Sequence, residues 1–241
     1  MDGVEIAARG LSVRGARGPV FENVDVQVPP GGLLVVHGTA RSGRTSLLLA
    51  LSGRMRLNAG TVRIGPYTVP SQARKAAALV TVARAEPAVA LEERLRVGEL
   101  MSERCWTSRA VTRQGIRDAA SAVGLELDER LLVEELTALD QTRLALALAL
   151  AGRPAALVID DVDAGCTDEQ RRQAWQAVAL AHEQGCTVLA GALQEPPPQG
   201  EPVELVSLPQ LSAHRLPPAV TTDAHRLPPV VTAEPRKAIA E

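Results

Sequence analysis

Aromatic rings, long apolar runs and surplus charge are what this sequence lacks. Of 241 residues only Phe21, Tyr67, Trp106 and Trp175 are aromatic. The core must therefore be packed from Leu, Val, Ile and Ala, and few rings remain to stack on a base. The 26 Lys+Arg nearly balance the 28 Asp+Glu, for a formal charge of −2. Without a polybasic footprint, the electrostatic case for a nucleic-acid partner falls away. No apolar stretch nears the roughly 18 to 20 residues of a membrane-spanning helix; the best, Leu144 to Ala151, follows Arg143 and stops at Gly152-Arg153-Pro154. The acidic opening Met1-Asp2-Gly3-Val4-Glu5 lacks the basic and apolar regions of a signal peptide. Cys105, Cys166 and Cys186 form an odd set without metal-ligand spacing, as expected of a chain kept reduced in the cytosol.

The length suits one domain of about 200 residues plus a tail. Val20 to Val28 alternates, with Val24, Val26 and Val28 on one face, and reads as a half-buried strand stopped by Pro29-Pro30-Gly31-Gly32. Leu33-Leu34-Val35-Val36, Ala155 to Ile159 and Cys186 to Ala190 are short continuous apolar runs, the pattern of strands covered on both faces in a parallel sheet. Gly60 to Gly65 reads as a further strand between turns, and Val203 to Val206 as an edge strand. Residues of about 91–152 carry Leu, Ala and Val at helical spacing and suggest a helical insert. Glu169 to Glu183 has helix-forming composition, with Trp175, Val178 and Leu180 available to pack inward. Strands alternating with helices predict an α/β fold with a mostly parallel sheet over residues 1–210. Residues 211–241 hold a duplication, His214-Arg215-Leu216-Pro217-Pro218 and His225-Arg226-Leu227-Pro228-Pro229, expected to be a flexible, disordered, Pro-rich tail rather than a docking motif.

The chemistry-bearing object is Gly38-Thr39-Ala40-Arg41-Ser42-Gly43-Arg44-Thr45, followed by a helical run from Ser46. Its spacing is that of the P-loop, with arginine in the lysine position. Glycines let successive backbone N–H groups wrap an anion, the next helix adds its positive end, and Thr45 is placed to offer a hydroxyl to Mg²⁺. The alternative is an ordinary tight strand-to-helix turn. Leu157-Val158-Ile159-Asp160, an apolar strand ending in a carboxylate about 115 residues on, has the Walker B pattern and weakens that alternative.

In this order the motifs resemble the nucleotide-binding domain of ABC transporters. Pro29 to Gly38 looks like that family's lead into the P-loop, and Leu47 to Gly53 with Ala59 to Gly65 like its sequel. Leu136-Thr137-Ala138-Leu139-Asp140-Gln141 stands where the family has its signature sequence. The resemblance implies a P-loop NTPase fold of ABC type, with ATP bound by Gly38, Thr39, Ala40, Arg41, Ser42, Gly43, Arg44, Thr45 and Ser46. It implies Mg²⁺ on Thr45 and Asp160, and Asp161 in the catalytic position. It also implies a membrane-embedded transporter subunit and a second cassette, a copy or a relative, as partners, at the inner face of the cell membrane.

Several family positions are altered. The loop lysine is Arg44, and the middle loop glycine is Arg41. The Q-loop glutamine aligns with Ala85. The signature glycines become Ala138 and Leu139, whose side chain is expected to obstruct the approach to a partner's phosphate. The catalytic glutamate is Asp161, shorter by one C–C bond of about 1.5 Å; a misplacement of about 1 Å can cost on the order of 100-fold in rate. The switch histidine aligns with Leu193, the adenine-stacking aromatic has no counterpart, Gly15 or a neighbour filling its place, and the D-loop aspartate aligns with Thr167, with Asp168 next to it. Arg41 and Arg44 fit an adapted anion site; the alternative is that both are solvated surface arginines, which fits Arg41 equally well. Asp163 is expected to cap a helix or be solvated at a strand end. Slow or lost hydrolysis is the expectation, with a non-hydrolysing regulatory or scaffold cassette as the alternative. His37 and His182 lack a triad or zinc spacing, so unrelated enzymatic chemistry has no support.

Overall fold

A computed structural model describes residues 2–16, 18–196 and 203–208. The Pro-rich tail, 211–241, lies outside the described residues, as does its duplicated segment.

Two sheets share the work. Strands β1 (Ile6–Gly15), β2 (Gly18–Val28), β4 (Ala59–Ile64) and β5 (Tyr67–Val69) form an antiparallel sheet in the order β2-β1-β4-β5. Strands β3 (Leu33–His37), β6 (Val80–Arg84), β7 (Ala156–Ile159), β8 (Thr187–Ala192) and β9 (Val203–Ser207) form a wholly parallel one, ordered β6-β7-β8-β3-β9. The expected parallel sheet and its edge strand are present; the antiparallel sheet stands beside it.

The continuous apolar runs follow from packing on both faces. Leu33, Val35, Leu157, Ile159, Val188 and Ala190 face a core shared with the helices α3 (Val97–Thr107), α4 (Arg113–Ala122), α5 (Ala138–Leu150) and α6 (Asp168–Glu183). Leu34, Val36, Ala156, Val158 and Leu189 face a second core, shared with α1 (Arg44–Leu51) and the antiparallel sheet. A short α2 (Ala73–Ala78) precedes β6. In α6, Trp175 and Val178 are buried with Ala174, Ala177 and Ala181, whereas Leu180 stays half-exposed. No helix among the described residues is long and apolar enough to cross a membrane.

Parallel strands gather their C-terminal ends along one border, where α/β folds place their ligands. Here that border carries the loop after β3 and the carboxylates after β7, with β8 between them.

Candidate functional site

The loop after β3 is a tight wrap. The Ser42 N–H donates to the Thr39 carbonyl at 3.2 Å, and the Leu47 N–H to the Gly43 carbonyl at 2.8 Å. Gly43 leads into α1 with φ of +94°. A Cβ on it would stand 2.9 Å from Val20 Cγ1 and 3.0 Å from the Val20 carbonyl, so only glycine fits. Arg41 holds the left-handed conformation, φ +67°, at a cost of roughly 1–2 kcal/mol for a residue with a Cβ. Its side chain is exposed.

No side chain caps α1 and no acidic residue sits in its first turn. The N–H groups of Arg44, Thr45 and Ser46 therefore have no intrahelical acceptor and present the positive helix end to the loop. Ser42 is 2% exposed, and its hydroxyl has no hydrogen-bond partner. A buried orphan hydroxyl beside orphan N–H groups is what a bound anion would satisfy.

Opposite the loop, Asp160 is 1% exposed. Its Oδ2 accepts a hydrogen bond from the Thr45 hydroxyl, and its Oδ1 accepts one from the Asp161 N–H at 2.8 Å. The carboxylate has room only because residue 191 is glycine: a Cβ there would lie 1.9 Å from Asp160 Oδ1. Asp161 has φ +49°, and its carboxylate accepts from the Arg44 guanidinium. Burial, with Asp160 close by, pushes its pKa up, against the pull of Arg44 and Arg84. Arg44 is itself buried and also donates to the Gly38 carbonyl, so it is no solvated surface arginine.

Two positions differ from the sequence expectation. Leu139 does not stand in the open but is 5% exposed, packed into the helical core. Asp163 is neither a cap nor solvated. It is buried, accepts from the Leu193 N–H at 3.3 Å and pairs with Arg171 at 3.3 Å. The cap of α6 is Thr167, whose hydroxyl accepts from the Gln170 N–H while the Gln170 side chain accepts from the Thr167 N–H. Thr137 caps α5 in the same way through the Asp140 N–H at 3.1 Å. Ala85 is buried and closes a turn with Val89, and Gly15 pairs with Gly18 at the end of the first hairpin.

Arg84 is the residue that sequence reasoning missed. It is 8% exposed and donates to the Asp160 carbonyl at 3.3 Å, the Asp161 carbonyl at 2.7 Å and the Thr142 hydroxyl on α5 at 3.0 Å. Burial lowers its pKa from the ordinary guanidinium value. The available signal was a charged residue ending the otherwise apolar Val80-Thr81-Val82-Ala83 run.

Among the described residues no cluster of three His, Cys, Asp or Glu could hold a metal. A divalent cation here would rest on Thr45, Asp160 and a ligand's own oxygens, the usual pattern for Mg²⁺ with phosphates. The donor set fits Mg²⁺ with a nucleotide.

Comparison with known proteins agrees with this geometry. The family model described as ABC transporter matches residues 21–164. The cytochrome c biogenesis ATP-binding export protein CcmA of Pseudomonas putida is 30% identical over 188 residues, which cover 77% of this chain and 88% of that protein. The energy-coupling factor transporter ATP-binding protein EcfA2 of Bacillus cereus is 29% identical over 180 residues, 69% of this chain and 60% of that one. Among solved structures, an ATP-binding cassette in a dimeric post-hydrolysis state bound to ADP and Pi aligns with TM-score 0.64 at 17% identity, covering 78% of this chain and 88% of that one. A putative ABC transporter ATP-binding protein from Pyrococcus furiosus aligns with TM-score 0.64 at 21% identity, covering 79% and 92%. With its loop, its carboxylate strand and its double-sheet frame matched across most of the fold, the chain belongs to the ATP-binding subunit family of ABC transporters.

Proposed function

We propose that this chain is a nucleotide-binding subunit that seats an Mg²⁺-nucleotide on residues 38–46 and serves a membrane-embedded transporter subunit, with hydrolysis slow or lost. The observation that carries the reading is the hydrogen bond from Thr45 to the buried Asp160 carboxylate, which joins the two halves of the site across β8. The loop N–H groups and Arg44 would take the phosphate oxygens, Arg44 as a bidentate donor, while Thr45 and Asp160 would hold the cation. Bound Mg²⁺ offsets the charge that develops on a transferred phosphoryl group.

Slow turnover follows from what surrounds that seat. Asp161 is shorter than the family's glutamate and is engaged by Arg44; Leu193, 42% exposed, has no polar side-chain atom for a phosphate. These same two observations favour a second reading, a non-hydrolysing regulatory or scaffold cassette. For the partner, a groove of about 240 Å³ between β6, α3 and α5 is lined by Val82, Leu91, Leu100, Arg104 and Leu148. Beside it on α3, Trp106 is 86% exposed. An exposed ring next to a half-apolar groove supports docking of a protein segment, which we assign to a membrane subunit at the inner face of the membrane.

The test is nucleotide binding and turnover on the purified chain with Asp160→Asn as control. We expect Mg²⁺-dependent ATP binding lost in Asp160→Asn, with turnover below the ~1 s⁻¹ floor of typical enzymes. Binding with no turnover selects the regulatory cassette. No binding at millimolar ATP refutes nucleotide function. Co-purification with a membrane protein tests the transporter assignment.

A further inference from the structure

Arg44 already has an anion. One arm of its guanidinium donates to the Gly38 carbonyl, the first of the loop, and the other donates to the Asp161 carboxylate. Its Nε, buried and without a hydrogen-bond partner, stands 3.9 Å from Asp160 Oδ1. The side chain is 7% exposed, whereas that of Asp161 is 40% exposed. The cation is thus fixed inside the site while its partner carboxylate stands at the open side. Asp161 keeps a left-handed backbone there, next to the like charge of Asp160, so Arg44 is the group that holds its carboxylate in place.

We propose that Asp161 is the resident counter-ion of the loop: its carboxylate holds the place beside Arg44 that a phosphate oxygen takes, and gives it up when nucleotide binds. The inference rests on the reading of residues 38–46 as a phosphate seat. It gives Asp161 an affinity-setting part distinct from any part in activating water. While it is bonded to Arg44, a carboxylate oxygen is committed to a cation rather than free to accept a proton. The same competition makes Arg44, not the loop amides, the residue through which Asp161 acts on the ligand.

ADP separates the two parts, because it has no γ-phosphate to be attacked and a water-activating carboxylate is indifferent to it. Mg-ADP dissociation constants are measured by calorimetry on the full chain and on its Asp161→Asn and Asp161→Gly variants, the latter keeping the left-handed backbone without strain. Light scattering verifies that every sample is monomeric, and circular dichroism that it is folded. The expected result is binding about tenfold tighter in both variants, an effect that disappears when either is combined with Arg44→Ala. Wild-type binding with unchanged or weaker binding in both variants overturns the proposal and leaves the phosphate seat standing. Tightening that persists in the Arg44→Ala background also overturns it. If no variant binds ADP or ATP at millimolar concentration, the phosphate seat itself falls and the counter-ion with it.

Discussion

Replacing Arg84 by methionine keeps the unbranched stem of the side chain and removes every donor. The guanidinium makes three hydrogen bonds, to the Asp160 and Asp161 carbonyls and to the Thr142 hydroxyl. Hydrogen bonds from a charged donor contribute roughly 1.5–3 kcal/mol each, and a buried carbonyl left unpaired costs about 1–3 kcal/mol. Against this stands the relief of no longer burying a charge, several kcal/mol by the usual estimate; the lowered pKa of Arg84 has that burial as its largest cause. The difference leaves a net destabilisation of about 2–4 kcal/mol. For a chain of this size each kcal/mol moves the melting midpoint by roughly 2–4 °C, so Arg84→Met should melt about 4 to 16 °C lower. Differential scanning calorimetry on both proteins measures it, and Arg84→Lys, which keeps the charge but not the fork, should fall between them. A methionine variant melting within about 2 °C of the wild type would mean that these bonds do not hold the carboxylate segment to β6 and α5.

Three further outcomes are expected. Gly191→Ala puts a methyl group 1.9 Å from Asp160 Oδ1; the carboxylate must shift, and Mg²⁺-dependent nucleotide binding should weaken at least tenfold, by calorimetry, with the fold retained by circular dichroism. The buried Cys186 thiol is pushed up from 9.0 to about 11. Above pH 9 the unfolded chain gives up a proton that the folded chain keeps, so stability falls between pH 9 and 11, by at most about 3 kcal/mol. Urea midpoints at three pH values measure that slope, and Cys186→Ala should flatten it. Phe21 lies against Gly43 but is buried, as is Trp175, and Tyr67 lies on β5 and Trp106 on α3, so the loop offers a base no exposed ring from Phe21 or Trp175. ATP and GTP should therefore compete within about threefold of each other, whereas a base stacked on a ring would gain roughly 1–3 kcal/mol.

Much of the frame was legible because buried parallel strands write themselves as unbroken apolar runs, and β3, β7 and β8 do so. Strand β1 was not legible. Its buried residues are Ile6 and Ala8, then Leu11 and Val13, a switch of phase across Gly10 where the pairing with β2 slips. An alternation that changes parity midway reads as none. Of the site, the loop and Asp160 were legible by spacing, since both sit at strand ends. Arg84 was legible only as a charge closing an apolar run; nothing in its neighbours tells that its guanidinium crosses to the carboxylate segment after the next strand. The inward turn of Leu139 was hidden for a similar reason: only the position of α5 against the helical core decides which side of Thr137-Ala138-Leu139 is dry. Asp163 reads as a surface residue until Arg171, eight positions on, is seen to return to it from α6.

Strand β9 lends the site a mechanical handle. It pairs along β3, and immediately beyond it the Leu208 N–H donates to the His37 carbonyl at 3.0 Å, while the Leu208 carbonyl lies 2.5 Å from where a Cβ on Gly38 would be. The outermost ribbon of the sheet is therefore also a wall of the loop. Any shift of β9 along β3 would therefore reach the first glycine of that loop directly.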